Sequence, residues 1–84
     1  MEAIYRAFGH RAVRADGPQA AAMVFFRREA RKDYGRGAVV HTPRLDSWTE
    51  SGRTHTYEAF AGRRIPGGAS GRNLRVTVTR ESAP

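Results

Sequence analysis

The residues best suited to acid–base or metal chemistry are the three histidines, which are spread along the chain: His10, His41 and His55. They lack the HExxH spacing of a helical zinc site, and the chain has no cysteine, so there is no metal-ligand pattern. A general acid–base pair would need His55 beside Glu58 or Asp46 in a pocket. Solvent-exposed strand histidines are the simpler interpretation. We therefore expect no metal, no other cofactor and no enzymatic activity.

Positive charge is the second source of chemistry. Lys and Arg number 15 against 8 Asp and Glu, which gives a net charge of +7 and a pI near 11.3. Such an excess attracts phosphate backbones or acidic protein surfaces at long range. All the basic residues except Lys32 are arginines, a pattern that GC-rich coding also produces. A functional and a compositional origin both remain open.

One segment, from Asp16 to Gly35, has a helix start, a helical period and a helix stop. Asp16 or Gly17 can cap the first turn, Pro18 suits the earliest helical positions, and Gly35 can end the helix in a left-handed conformation. The 3.6-residue period places four residues on one stripe, which we expect to face the core: Met23, Phe26, Ala30 and Tyr34. Arginines and a lysine cover the next arc.

The cationic arc and the arginines that follow it predict a partner-binding surface. Phe25 lies beside this arc, so either the sheet curls far enough to cover it or it is an aromatic anchor among cations. The predicted partner-binding residues are Phe25, Arg27, Arg28, Arg31, Lys32, Arg36, Arg63, Arg64 and Arg72.

The rest of the chain predicts strands. Residues 3–15 indicate two short strands about a type II′ turn at Gly9-His10, or one long bent strand. Further strands are expected at 37–42, 44–49, 54–61 and 73–80, with Pro43 interrupting the first two, a turn at 50–53 and a mobile glycine-rich loop at 62–72. These elements predict an α+β fold in which one amphipathic helix packs on a mostly antiparallel sheet of 4–5 strands.

Three local features allow two interpretations. The glycine-rich loop lacks the GK[ST] ending of a phosphate-binding loop, and it either clamps a nucleic acid or partner or simply connects strands. Trp48 and Tyr57 are either stacking residues on an exposed face or packing residues. The strand from Asn73 to Arg80 could be an edge strand that pairs with a second copy.

Length limits the organisation to one small domain, residues 1–84, with 81–84 expected to be a frayed tail. No run approaches the 18 or so apolar residues of a membrane span, and no signal-peptide core is visible. The sequence thus predicts a soluble, intracellular protein.

The layout resembles that of small phage-encoded proteins, among them some type I anti-CRISPR proteins. The resemblance lies in Val13-Arg14-Ala15, the helix opening from Asp16 to Ala21, the single helix, and the hairpin bearing Trp48 and Tyr57. It implies a non-enzymatic inhibitor, a monomer or weak homodimer, that acts in the cytoplasm of a bacterial host.

Such an inhibitor would bind a Cas surveillance complex of the Cascade type and block its binding to target DNA. Some inhibitors of this kind are acidic mimics of DNA, which a chain at +7 cannot be. The alternative function is that of a small basic DNA- or RNA-binding accessory protein.

Overall fold

The computed structural model describes residues 2–41, 44–47 and 54–81. In this part of the chain one helix packs on one sheet, and every strand pairing is antiparallel, which confirms the predicted α+β class. The elements in chain order are β1 (Ala3–Arg6), β2 (Val13–Ala15), α1 (Pro18–Tyr34), a 3₁₀ turn (Gly35–Gly37), β3 (Ala38–Val40), β4 (Arg44–Ser47), β5 (Thr54–Ile65) and β6 (Gly68–Arg80).

The sheet has the order β2-β1-β6-β5-β3. β3 and β4 both pair with β5, β3 with residues 61–63 and β4 with residues 56–58, so six strands occupy five positions. The prediction that Asn73–Arg80 could be an edge strand is wrong for Thr79 and Arg80, which pair with β1. Among the described residues, no strand pairs with the other edge of residues 73–78. The outermost strands are β2 on one side and β3 on the other, with β4 beyond β3 along β5.

The helix begins and ends where its sequence predicts. Gly17 is extended at the N-cap, and its carbonyl accepts a hydrogen bond from the Ala21 amide at 3.1 Å. Pro18 occupies the first turn, where no intrahelical donor is needed. Gly35, with φ of 73°, donates its amide to the Arg31 carbonyl and ends the helix.

The face that α1 turns to the sheet differs from the predicted stripe. The buried helix residues are Ala21, Ala22, Phe25, Phe26 and Ala30. At 100° per residue their mean direction is about 90° from that of the predicted stripe. The helix turns this face to the sheet because its three alanines let the two approach closely. Of the predicted stripe, two residues are only half-buried: Met23 and Tyr34.

The sheet contributes alternate residues of its long strands to the core. Tyr57 and Ala59 of β5 are buried, as are Val76 and Val78 of β6, while their sequence neighbours lie on the opposite face. This burial pattern confirms the predicted strands at 54–61 and 73–80. Tyr57 is 6% exposed, so of its two interpretations packing is the one observed. Tyr5 of β1 completes this side of the core.

The predicted loop at 62–72 is wrong, since β5 and β6 continue as a regular ladder to Ile65 and Gly68. Gly67, with φ of 85°, forms the turn. Gly62 and Gly71 face each other within the ladder, and a Cβ on Gly62 would lie 2.8 Å from the Gly71 Cα. These two glycines permit a close approach of strands rather than mobility. The hairpin contributes to an elongated shape of 47 × 23 × 22 Å.

The first hairpin forms as predicted between β1 and β2, although its turn is of another type. The His10 amide donates to the Ala7 carbonyl at 3.1 Å, and Gly9 has φ of 80°. Gly9 is therefore the second central residue of a type II turn rather than the first of a type II′ turn. The predicted elements at Trp48, at 50–53 and at 82–84 lie outside the described residues.

Candidate functional site

An open groove of about 500 Å³ lies between the C-terminal half of α1 and the edge strand β3. We call it the cationic groove, and its lining residues are Arg27, Ala30, Arg31, Gly35, Arg36, Ala38 and Val40. The three alanine and valine side chains provide an apolar floor, and the three arginines provide a positive rim. The groove thus combines apolar surface with positive charge in one concave site.

Helix geometry and the glycine turn place the rim. Arg27 and Arg31 are four residues apart, so they lie one above the other on the same face of α1. Gly35 ends the helix and the 3₁₀ turn then carries Arg36 to the mouth of the groove. Ala38 and Val40 are alternate residues of β3 and therefore face the helix together.

The three rim arginines are exposed, and none of their side chains has an ion-pair or hydrogen-bond partner among the described residues. Arg31 and Lys32 lie in the last turn of α1, where a cation stabilises the negative end of the helix dipole by about 0.3–1 kcal/mol. The dipole accounts for neither Arg27 nor Arg36, which lie outside that turn. The rim therefore presents cations that no described residue of the chain neutralises.

Three other predicted partner-binding arginines make contacts within the chain. Arg63 donates to the Tyr34 carbonyl at 2.8 Å and so satisfies an acceptor that the helix end leaves free. Arg72 pairs with Asp33 at 2.8 Å. Both contacts fasten the long hairpin to the end of α1, beside the cationic groove.

Arg28 and Phe25 act together on the other side of the helix. Phe25 is completely buried, so it is a core residue and not a partner contact; the sheet covers it. The Arg28 guanidinium lies 5.8 Å from the centre of the Phe25 ring and donates to the Arg11 carbonyl at 2.9 Å. This arginine therefore holds the β1–β2 connection against the helix.

The same connection carries a pair that the sequence did not reveal. His10 Nε2 lies 2.9 Å from the Glu29 Oε1, and the His10 ring packs on Phe25 with a centroid separation of 5.1 Å. The His10 side chain is only 10% exposed. Nineteen residues separate the two partners, and no local spacing signals such a contact. The pair fixes the turn that bears Phe8, whose side chain is fully exposed.

A second groove, which we call the hairpin groove, lies on the other face of β3. Its lining residues are Val39, Val40, His41, Arg64, Ile65, Gly68 and Ala69. Arg64 is exposed and has no polar partner among the described residues, and Ile65 is 47% exposed. The two grooves share Val40, so they meet at the outer edge of β3.

The acid–base pair considered from sequence does not form with Glu58. His55 and Glu58 are three residues apart on β5 and so point to opposite faces of the sheet. Glu58 instead lies 3.8 Å from Arg75 on the neighbouring strand. The Asp46 side chain lies outside what the structure describes. Within the described residues there is no cluster of three or more potential metal ligands.

Comparison of the chain with protein-family models, with curated proteins and with solved structures finds no match in any of the three. Among the described residues, no helix is both long and apolar enough to cross a membrane. Function is therefore inferred from the surface that the fold presents.

Proposed function

We propose that this is a binding protein without catalytic activity that docks its cationic groove on an acidic protein surface. The observation that supports this proposal is a set of three arginines around an apolar floor, whose side chains have no polar partner among the described residues: Arg27, Arg31 and Arg36. Interfaces of this kind join a desolvated apolar contact, which contributes affinity, to charges that accelerate encounter and select the partner.

The apolar floor favours a protein partner over a bare phosphate backbone. A nucleic-acid backbone offers charge but few apolar groups, whereas a protein can place an aliphatic or aromatic side chain over Ala38 and Val40 and set carboxylates beside the arginines. Arginine suits this role because its planar guanidinium binds a carboxylate through two hydrogen bonds.

For the partner, we propose a type I CRISPR surveillance complex, on the basis of the resemblance in layout to small phage-encoded inhibitors. In this proposal the protein binds an acidic surface of the assembled complex and thereby prevents its binding to target DNA. It would act in the cytoplasm of a bacterial host cell.

The experiment is to measure binding of the purified protein to purified type I surveillance complexes by biolayer interferometry. The same samples are then tested for retention of a target DNA duplex in a gel. We expect saturable binding to at least one complex, together with loss of target-DNA retention. Absence of binding to every assembled complex and to its separate subunits would refute this choice of partner.

Nucleic-acid binding is a second candidate, favoured by a different observation. Five cations that lack partners among the described residues lie around the end of α1 and on the hairpin: Arg27, Arg31, Lys32, Arg36 and Arg64. If they contacted phosphates, the logarithm of the affinity would fall linearly with the logarithm of salt concentration, by about 0.9 for each duplex phosphate neutralised. A gel-shift titration with duplex DNA at several salt concentrations distinguishes this function, which predicts a steep slope, from protein docking.

A further inference from the structure

The outer edge of β3 carries unpaired backbone groups. The His41 amide donates to the Phe60 carbonyl at 3.0 Å, so His41 points its backbone groups toward β5. In an antiparallel pair the direction alternates, which turns the backbone groups of Val40 and Ala38 away from β5. The Ala38 amide is satisfied by the Gly35 carbonyl. The Val40 amide, the Val40 carbonyl and the Ala38 carbonyl therefore face outward at an edge where no described strand pairs with β3.

The edge also has a groove on each side. The cationic groove lies on the helix side of β3, and the hairpin groove lies on the other side. Side chains of an added strand alternate between the two faces of a sheet. A strand laid along β3 would therefore place successive side chains in successive grooves, which is the arrangement that gives specificity in strand addition.

From these observations we propose that β3 is a docking site for an extended acidic segment of a partner protein, which adds to the sheet beside Val40. This inference rests on the proposed function and names the form in which the partner binds. Charge complementarity identifies the occupant, because Arg31 and Arg36 border one groove and Arg64 borders the other. Among the described residues, no acidic residue lines either groove.

Protection of an edge strand is a simpler explanation of this arrangement, and an experiment must distinguish it from docking. Proteins also protect short edge strands with charged residues to prevent self-association. β3 has only three residues and is preceded by Arg36, so protection alone would produce the same arrangement. Protection predicts that an added strand does not bind, whereas docking predicts that an acidic one does.

The probe is a capped peptide of about seven residues, the usual length of a strand, with alternating valine and glutamate. Two control peptides have the same length: one carries N-methyl groups on alternate backbone amides, and one has lysine in place of glutamate. Binding is measured by titration calorimetry with the intact protein. We expect the parent peptide to bind with a Kd tighter than about 1 mM and both controls to bind at least about tenfold more weakly.

Amide hydrogen exchange followed by NMR locates the contact. We expect saturating peptide to slow exchange of the Val40 amide at least about tenfold, because that amide gains an acceptor. The Val39 amide, which points toward β5, is the internal control and should not change. This measurement uses the unmodified protein and so does not depend on a variant that could misfold.

Two protein variants test the charge. Arg36→Glu should weaken peptide binding at least about tenfold, since a rim cation becomes an anion. Arg14→Glu makes the same change of charge on β2, at the opposite edge of the sheet, and should leave binding within about twofold. Equal losses in the two variants would overturn the proposal.

The outcomes separate the proposal from the function on which it rests. Equal affinity of the N-methylated peptide, or unchanged exchange of the Val40 amide, would refute strand addition even if the protein still bound a surveillance complex. If a short DNA duplex displaced the peptide, and the Val40 amide exchanged at the same rate with DNA as with peptide, the site would be one for polyanions. That result would also refute strand addition. Slowed exchange of Val40 without any binding to a surveillance complex would support strand addition and refute only that choice of partner.

Discussion

Gly62 and Gly71 face each other across the β5–β6 ladder, and each occupies a position where a Cβ atom does not fit. A Cβ on Gly71 would overlap the Ala61 carbonyl oxygen and lie 2.9 Å from the Ala61 carbonyl carbon. We therefore expect Gly71→Ala to lower the free energy of unfolding by about 1–3 kcal/mol, the usual cost of overpacking. Urea denaturation followed by circular dichroism measures the change.

Gly68→Ala is the matched control for this substitution. Its Cβ would meet no atom within 4 Å, and Gly68 does not have a positive φ. The unfolding free energy of this variant should stay within about 0.5 kcal/mol of the parent or rise slightly, because alanine restricts the unfolded chain. If both variants lost the same stability, close approach at Gly71 would not be the reason for its glycine.

We expect ionisation of Tyr57 to lower the free energy of unfolding at alkaline pH. Burial, and then the neighbouring Tyr5, raises the pKa of Tyr57 above its ordinary value of 10.0. Because the folded state holds this proton more tightly than the unfolded state, the stabilisation is fully present below the unfolded pKa and is lost as pH rises through the folded pKa. We expect Tyr57→Phe, which cannot ionise, to reduce the fall in stability above pH 10.

Urea denaturation at about pH 8 and at about pH 10.5 tests this expectation, with the parent and Tyr57→Phe compared at each pH. The parent should lose more stability between the two pH values than the variant does. An equal loss in the two proteins would show that other groups cause the alkaline destabilisation. The difference within each protein is the relevant quantity, because removing the hydroxyl can itself alter stability at neutral pH.

At the scale of elements, the helix and the β1–β2 connection are fastened to each other by His10. Its ring packs on Phe25 and its Nε2 lies beside Glu29. Since the side chain is nearly buried, we expect His10→Ala to lower the free energy of unfolding by about 1–3 kcal/mol through lost packing on Phe25 and the lost contact with Glu29. Thermal and urea denaturation at neutral pH provide the measurement.

His41→Ala is the comparison for His10→Ala. His41 also contacts an aromatic ring, that of Phe60 at 5.3 Å, but it is an exposed residue. Truncation there should cost less than about 1 kcal/mol, because little surface is withdrawn from water. A larger loss from His41→Ala than from His10→Ala would contradict the role assigned to the His10 contact.

The ends of the elements could be predicted from sequence better than the faces they bury. Pro18 and Gly35 set the limits of α1 through local backbone chemistry, which sequence carries directly. The buried face depends on which residues let the sheet approach, and Ala21 and Ala22 give a weak hydrophobic signal. The predicted stripe therefore followed the larger Met23, although the buried face includes Phe25 instead.

The long hairpin shows a second limit of sequence patterns. Four glycines and a proline between residues 62 and 72 are typical of an irregular loop, and the structure has a ladder there instead. Two of those glycines serve a close contact between strands, which depends on a partner strand that sequence spacing does not identify. The candidate site has the same limit. Its arginines could be named from the sequence, but the sequence does not show which of them brace the fold.

For the whole molecule, the distribution of charge matters more than its total. Arg28, Arg63 and Arg72 contact other parts of the chain, while the side chains of the arginines of the cationic groove have no polar partner among the described residues. The groove lies at one edge of the sheet, beside the outward-facing backbone of β3. Net charge alone predicted attraction to an anionic partner, and only the fold places apolar surface in the middle of the cations.

Charge reversal within the cationic groove tests the central claim most directly. The affinity for a surveillance complex is measured by biolayer interferometry for the parent, for Arg31→Glu and for Arg14→Glu, after circular dichroism has verified that all three are folded. The account predicts that Arg31→Glu weakens binding at least about tenfold, whereas Arg14→Glu, with the same net charge, stays within about twofold. Equal affinities of the two variants would contradict it.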